Sequence, residues 1–152
     1  MKIPILAIGN NRIYLYIEKR YTASLPIIPI GCDCHPAYVL KSLHIRNISF
    51  PFDWLNTKPS TGIDYVNRNI KSEFSNFLDK LTRNKDGNIV SDWYRHTEFL
   101  HYDRLIDNKK LVLKLLQRAK RFMEFYNNKE CIFFNRNALF YYSTDINFIE
   151  YT

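Results

Sequence analysis

The sequence predicts a mixed α/β domain of the α+β kind, in which a cysteine opens a helix packed on a small, mostly antiparallel sheet. Three observations predict it. Apolar residues recur at helical spacing over 62–82 and 107–128, whereas short runs rich in β-branched and aromatic residues occupy 3–8, 12–18, 25–30, 89–102 and 131–135. Gly31 and Cys34 stand where one such strand-like run gives way to a helical spacing. The chain has 152 residues, 46% of them hydrophobic and 16% aromatic, enough for one buried core, and no repeat or linker divides it.

Ile3–Ile8 and Arg12–Glu18 flank a Gly-Asn-Asn turn and read as a hairpin, an N-terminal extension over 1–25. Leu25–Ile30 carries two prolines and reads as a short buried or edge strand ending at Gly31. From Cys34 to about residue 44, Pro36 suits a first helical turn, and Ala37, Leu40 and Leu43 fall on one face. In the segment SFPFDWL, residues 49–55, Pro51 favours an extended or turn conformation. Ser60 and Thr61 offer a cap to a helix over 62–82, whose face holds Ile63, Val66, Ile70, Phe74, Phe77, Leu78 and Leu81. Asp86-Gly87 marks a turn before one or two strands over 89–102. Asp107 can cap a helix that aligns Leu111, Leu115, Ala119, Phe122 and Tyr126 and ends at Asn127 and Asn128. Residues 131–135 read as a buried strand, LFYYS as a further strand, and Thr144 as a candidate start for a last short helix.

A net charge of +7 favours phosphate, anionic lipid or acidic protein as contacts. The cluster Lys109, Lys110, Lys114, Arg118, Lys120 and Arg121 reads as the solvated face of a helix, and no nucleic-acid motif accompanies it. The three cysteines are an odd number, and Cys32 and Cys34 are too close in sequence for an unstrained bridge, which fits a reducing compartment. The amino-terminal apolar run lacks a signal-peptide cleavage pattern, and no stretch is apolar enough to span a bilayer. Together these features lead us to expect a soluble cytoplasmic protein.

A cysteine that opens a helix faces free backbone NH groups, which favour thiolate and can donate to an oxyanion. A small buried hydrophobe is the plainer reading of such a residue. Cys32, Cys34 and His35 could begin a metal site, but the Cys-x-Cys-His spacing lacks a Cys-x-x-Cys loop and no second pair follows it. The four glycines include neither phosphate-loop nor dinucleotide spacing.

Residues 28–55, IPIGCDCHPAYVLKSLHIRNISFPFDWL, join Gly31-x-x-Cys34 to Pro51-Phe52-Asp53-Trp54 through an apolar helix. In this the chain resembles the papain-like cysteine peptidase family catalogued as a domain of unknown function, with a looser likeness over about residues 26–140. The resemblance implies a papain-like fold and an acyl-enzyme on Cys34, with Cys32 a bystander and His101 in EFLHYD as base. His96 is the alternative base, and His35 and His44 are less suited by position. Asp103, Asn135 and Asp53, in that order, are candidates to orient the imidazole, and Gly31, Asp33, Asp53 and Trp54 to line the substrate site. The implied substrate is a peptide or other acyl compound, with no cofactor and no metal. Compared with typical relatives the chain stops early, at Thr152, so an inactive shortened copy is one alternative. A basic module for nucleic acid or an acidic partner is another.

Overall fold

The computed structural model describes residues 21–128 and 131–135 in full, and residues 2–8, 11–16, 139–142 and 149–150 by their backbone. Strands β1 (Lys2–Ile8) and β2 (Asn11–Tyr16) pair antiparallel as a two-stranded sheet, with a register shift between Pro4 and Leu6, where proline lacks the NH a regular ladder requires. The next strand, β3 (Ile27–Pro29), is short because Pro26 and Pro29 limit its donors. It takes an edge position.

Helix α1 (His35–Ser42) follows a loop over 31–34 and buries Pro36, Ala37 and Leu40. Its carboxyl end closes as a Schellman motif: Ile45 NH donates to Leu40 C=O at 3.1 Å, and His44 NH to Lys41 C=O at 3.0 Å, with His44 left-handed at φ 58°. A turn over 51–54 leads to β4 (Asn56–Thr57), and a single 3-10 turn (Pro59–Thr61) opens helix α2 (Gly62–Lys71).

Helix α2 is shorter than the apolar spacing over 62–82 predicts, for it stops at Lys71 and residues 72–80 form turns. The cause is a second Schellman closure, in which Phe74 NH donates to Asn69 C=O at 2.8 Å and Glu73 NH to Ile70 C=O at 3.0 Å. Glu73 and Phe74 both lie at positive φ, 47° and 61°, and the reversal carries Phe74 and Phe77 into the core without a continuing helix. Left-handed backbone costs a non-glycine residue about 1–2 kcal/mol, and glycine returns about 0.4–1 kcal/mol of that through its freer unfolded state. Glu73→Gly, at an exposed site, should therefore stabilise the chain by about 0.5–1 kcal/mol, read as a higher urea midpoint at unchanged slope.

Strands β5 (Leu81–Arg83), β6 (Ile89–Ser91) and β7 (Tyr94–Glu98) join β4 in an antiparallel sheet of order β4-β7-β6-β5. Sequence spacing gives no sign of β4 or β5, each being three residues or fewer. Helix α3 (Lys109–Asn128) is capped by Asn108, not by Asp107: the Asn108 side-chain oxygen accepts from the NH groups of Lys110 at 3.1 Å and Leu111 at 3.2 Å. Asp107 sits one residue too early to reach them.

Strands β8 (Cys131–Phe134), β9 (Leu139–Tyr142) and β10 (Ile149–Glu150) complete a second four-stranded sheet of order β10-β9-β8-β3. Its strands β3 and β8 pair parallel, Ile27 opposite Ile132. The helix expected from Thr144 falls outside the described residues. Among the described residues, three helices and mainly antiparallel strands make the mixed α/β class that the sequence predicts.

The core between α3, α2 and the 51–54 turn is aromatic. Phe122 meets Phe52 at 5.3 Å and Phe74 at 5.5 Å between ring centroids, both edge to face, and stacks on Phe133 at 6.0 Å. Phe52 in turn meets Tyr65 and Phe77, so one residue of the turn joins α2 to α3, and Phe122 carries the contact on to β8.

Candidate active site

The β3–α1 junction is set by two close approaches. Gly31, at φ 125°, takes a backbone conformation that side chains disfavour, and a Cβ there would stand 3.2 Å from the Asn135 side-chain oxygen. A Cβ on Gly62 would stand 3.0 Å from both the Cβ and the backbone nitrogen of Cys32. The loop is thus held between Asn135, just beyond β8, and the first residue of α2. On its third side Thr57 NH donates to Cys32 C=O at 2.6 Å, which attaches the loop to β4.

Cys34 is the N-cap of α1, partly accessible, and its carbonyl accepts from Tyr38 NH at 3.0 Å. Cys32 and Cys131 are buried, and burial pushes the Cys131 thiol up to about 11, so it stays protonated. Of the three thiols, only that of Cys34 combines access with a helix start. Asp33 complicates its electrostatics. The Asp33 carboxylate accepts from His35 NH at 2.9 Å, taking one of the free NH groups of the first turn and placing a negative charge beside Cys34.

His101 lies three residues beyond β7, exposed, with its ring 5.5 Å from that of Trp54 in an edge-to-face contact. These two residues, with Tyr102 and Arg118, line a cavity of about 320 Å³. Arg46 lies over the Trp54 ring, its guanidinium carbon 5.5 Å from the centroid. Among the described residues no hydrogen bond joins the Cys34 thiol to His101. His96 sits on β7, exposed, where its C=O accepts from Lys58 NH at 3.3 Å, and it lines a different cavity, with Asn56, Lys58 and Glu98. His35 and His44 are both exposed, at the start and just past the end of α1.

The remaining candidates separate by environment. Asn135 is buried against Gly31. Asp103 is exposed, and its backbone carbonyl accepts from Arg83 at 2.8 Å. Asp53 is buried, receives Arg46 in an ion pair, and accepts from Phe50 NH at 2.9 Å, which closes the 51–54 turn. Burial raises its carboxyl above the usual carboxylate range, with Arg46 acting against that rise.

Arg118 departs from the solvated-face reading of α3. It is only 8% exposed and donates to the Tyr102 hydroxyl at 2.8 Å, whereas Lys109, Lys110, Lys114 and Lys120 are exposed. Its spacing of three from Leu115 and four from Phe122 places it on the apolar stripe, and that spacing was the available signal. No group of three or more His, Cys, Asp or Glu residues suited to a metal ion occurs among the described residues, and none of their helices is long and apolar enough to cross a membrane.

Compared with protein-family models, curated proteins and solved structures, the chain gives no significant match.

Proposed function

We propose that the chain is a papain-like cysteine hydrolase or acyltransferase that works through an acyl-enzyme on Cys34. The observation that carries this reading is the position of Cys34: an accessible thiol at the N-cap of α1, directly after β3, in a loop fastened by Asn135, Thr57 and Gly62. The Cys34 sulfur attacks an acyl carbon, forming an S–C bond while the carbonyl π electrons move to oxygen. The Cys34 backbone NH stabilises that oxyanion, since the His35 NH is held by Asp33 and Pro36 has none. His101 takes the thiol proton and returns it to the departing amine or thiol; water, or another nucleophile, then releases the acyl group. The contact between His101 and Trp54 supports assigning the base to His101 over His96, because it joins the histidine to the motif that accompanies the cysteine.

Asn135 is the orienting residue best supported by placement, being buried at the loop, whereas Asp53 is committed to Arg46. Asp103 offers only an exposed carboxylate. The missing Cys34–His101 hydrogen bond favours a second reading, an inactive copy of the fold.

Alkylation separates the two. With Cys34→Ser as blank, iodoacetamide should modify Cys34 of the wild type at about pH 6.5 at least about tenfold faster than in His101→Ala. Equal rates in the two proteins would remove His101 as the activating base and leave the inactive reading.

A further inference from the structure

A second concave site lies between α3 and the loop over 47–49, apart from the Cys34 junction. Lys114, Gln117, Arg118 and Arg121 line it from the helix, and Ser49 from the loop, around a volume of about 420 Å³. The spacing i, i+3, i+4 and i+7 places all four helix residues on one face. No acidic side chain lines this groove.

Arg118 is the unusual member. An arginine only 8% exposed ordinarily has a carboxylate partner, because an uncompensated buried charge is costly. Among the described residues Arg118 has no ion pair and donates only to the neutral Tyr102 hydroxyl. Asp53 attracts Arg118 through space, but its contact partner is Arg46, so this offsets the Arg118 charge only in part. Arg46 also donates to the Ser49 hydroxyl at 3.0 Å, and Arg121 to the Ser49 carbonyl at 3.0 Å, so Ser49 is fixed by two further guanidinium groups. Four cations, Arg46, Lys114, Arg118 and Arg121, thus stand against one carboxylate. That excess of three positive charges is repulsive while the groove holds only water.

We propose that this groove binds the dianionic phosphate of a small phosphomonoester. A carboxylate would offset one of the three excess charges, whereas a phosphate dianion offsets two and supplies the several acceptor oxygens that Lys114, Arg118 and Arg121 can meet together. Arg118 also lines the neighbouring cavity with Trp54, His101 and Tyr102, which leaves room beside the phosphate for the organic part of the ligand. The site stands whether or not Cys34 is a nucleophile.

Calorimetric titration with inorganic phosphate at about pH 8, where the dianion prevails, tests it, with acetate at matched ionic strength as reference. Phosphate should bind saturably and acetate should not. Lys114→Gln, an exposed change, should weaken phosphate binding by roughly five- to thirtyfold, the loss of one charge-assisted contact, with a thermal midpoint no lower than that of the wild type in the absence of phosphate. Acetate binding as tightly as phosphate, or phosphate binding unaffected by Lys114→Gln, would overturn the proposal. So would an unphosphorylated single-stranded oligonucleotide that binds the wild type more tightly than phosphate does, since that would indicate an extended polyanion surface.

Discussion

Arg46→Met is expected to destabilise the chain by about 3–5 kcal/mol near neutral pH, because it removes the cation from a carboxylate that stays in the core. The Asp53 side chain is fully buried and that of Arg46 nearly so. One Asp53 oxygen accepts from both Arg46 and Phe50 NH, while the other, like Arg46 Nε, is buried without a partner. The pair is therefore joined at one point and not as a two-pronged fork. Its loss leaves the charge with the Phe50 NH and no contacting cation among the described residues.

The pH dependence identifies the cause. Asp53 has a folded-state pKa above its ordinary 3.8, so the stability it contributes is fully present below that value and lost as pH rises through the folded pKa. Methionine at position 46 removes what holds the folded pKa down, which widens that window upward. The gap between variant and wild type in chemical denaturation should be small below about pH 4 and reach its full size near neutrality. A gap independent of pH would mean that Arg46 acts through packing alone. Asp53→Asn, which leaves no buried anion, should cost less than Arg46→Met.

Phe122→Ala should cost about 3–5 kcal/mol, through lost burial and the cavity left behind. Phe122 is fully buried and touches rings from the 51–54 turn, the segment after α2, and β8. No single neighbour can collapse into the space without leaving another partner. Phe122→Leu, which retains most of the volume, should lose less than half as much. Comparable losses for the two variants in urea denaturation would show that the ring geometry, and not the volume, is what this position supplies.

The elements most legible in the sequence were those whose signal is local. Pro36 after Cys34 gives α1, Pro51 gives the 51–54 turn, and the long stripe through Leu115 and Phe122 gives α3. Helix α2 was read too long because Phe74, Phe77 and Leu81 continue its spacing, and spacing cannot reveal that residues 73 and 74 turn left-handed to deliver those rings. Strands β4 and β5 were invisible for another reason: two or three residues hold no period, and their pairing with β7 and β6 is decided by tertiary contact.

The candidate site divides in the same way. Cys34 at a helix start is a local property, and so is a turn closed by Asp53. That Asn135 would lie against Gly31, or Trp54 against His101, depends on strand partners far apart in the chain. Arg118 was hidden by its charge among lysines, although its spacing already placed it with the buried residues.

The parallel pairing of β3 with β8 also has a meaning for how the protein is made. Ile27 must wait for Ile132, across an intervening stretch of roughly a hundred residues, and such distant closures are slow to form. The loop that carries Cys34 is built early in synthesis, but Asn135, which packs on Gly31, emerges from the ribosome only after all three helices. A nascent chain thus displays its exposed thiol long before the wall that shapes it exists. Assembly of the cysteine loop is in this way coupled to nearly complete translation, and a chain released before β8 would carry the motif without the Asn135 that packs on Gly31.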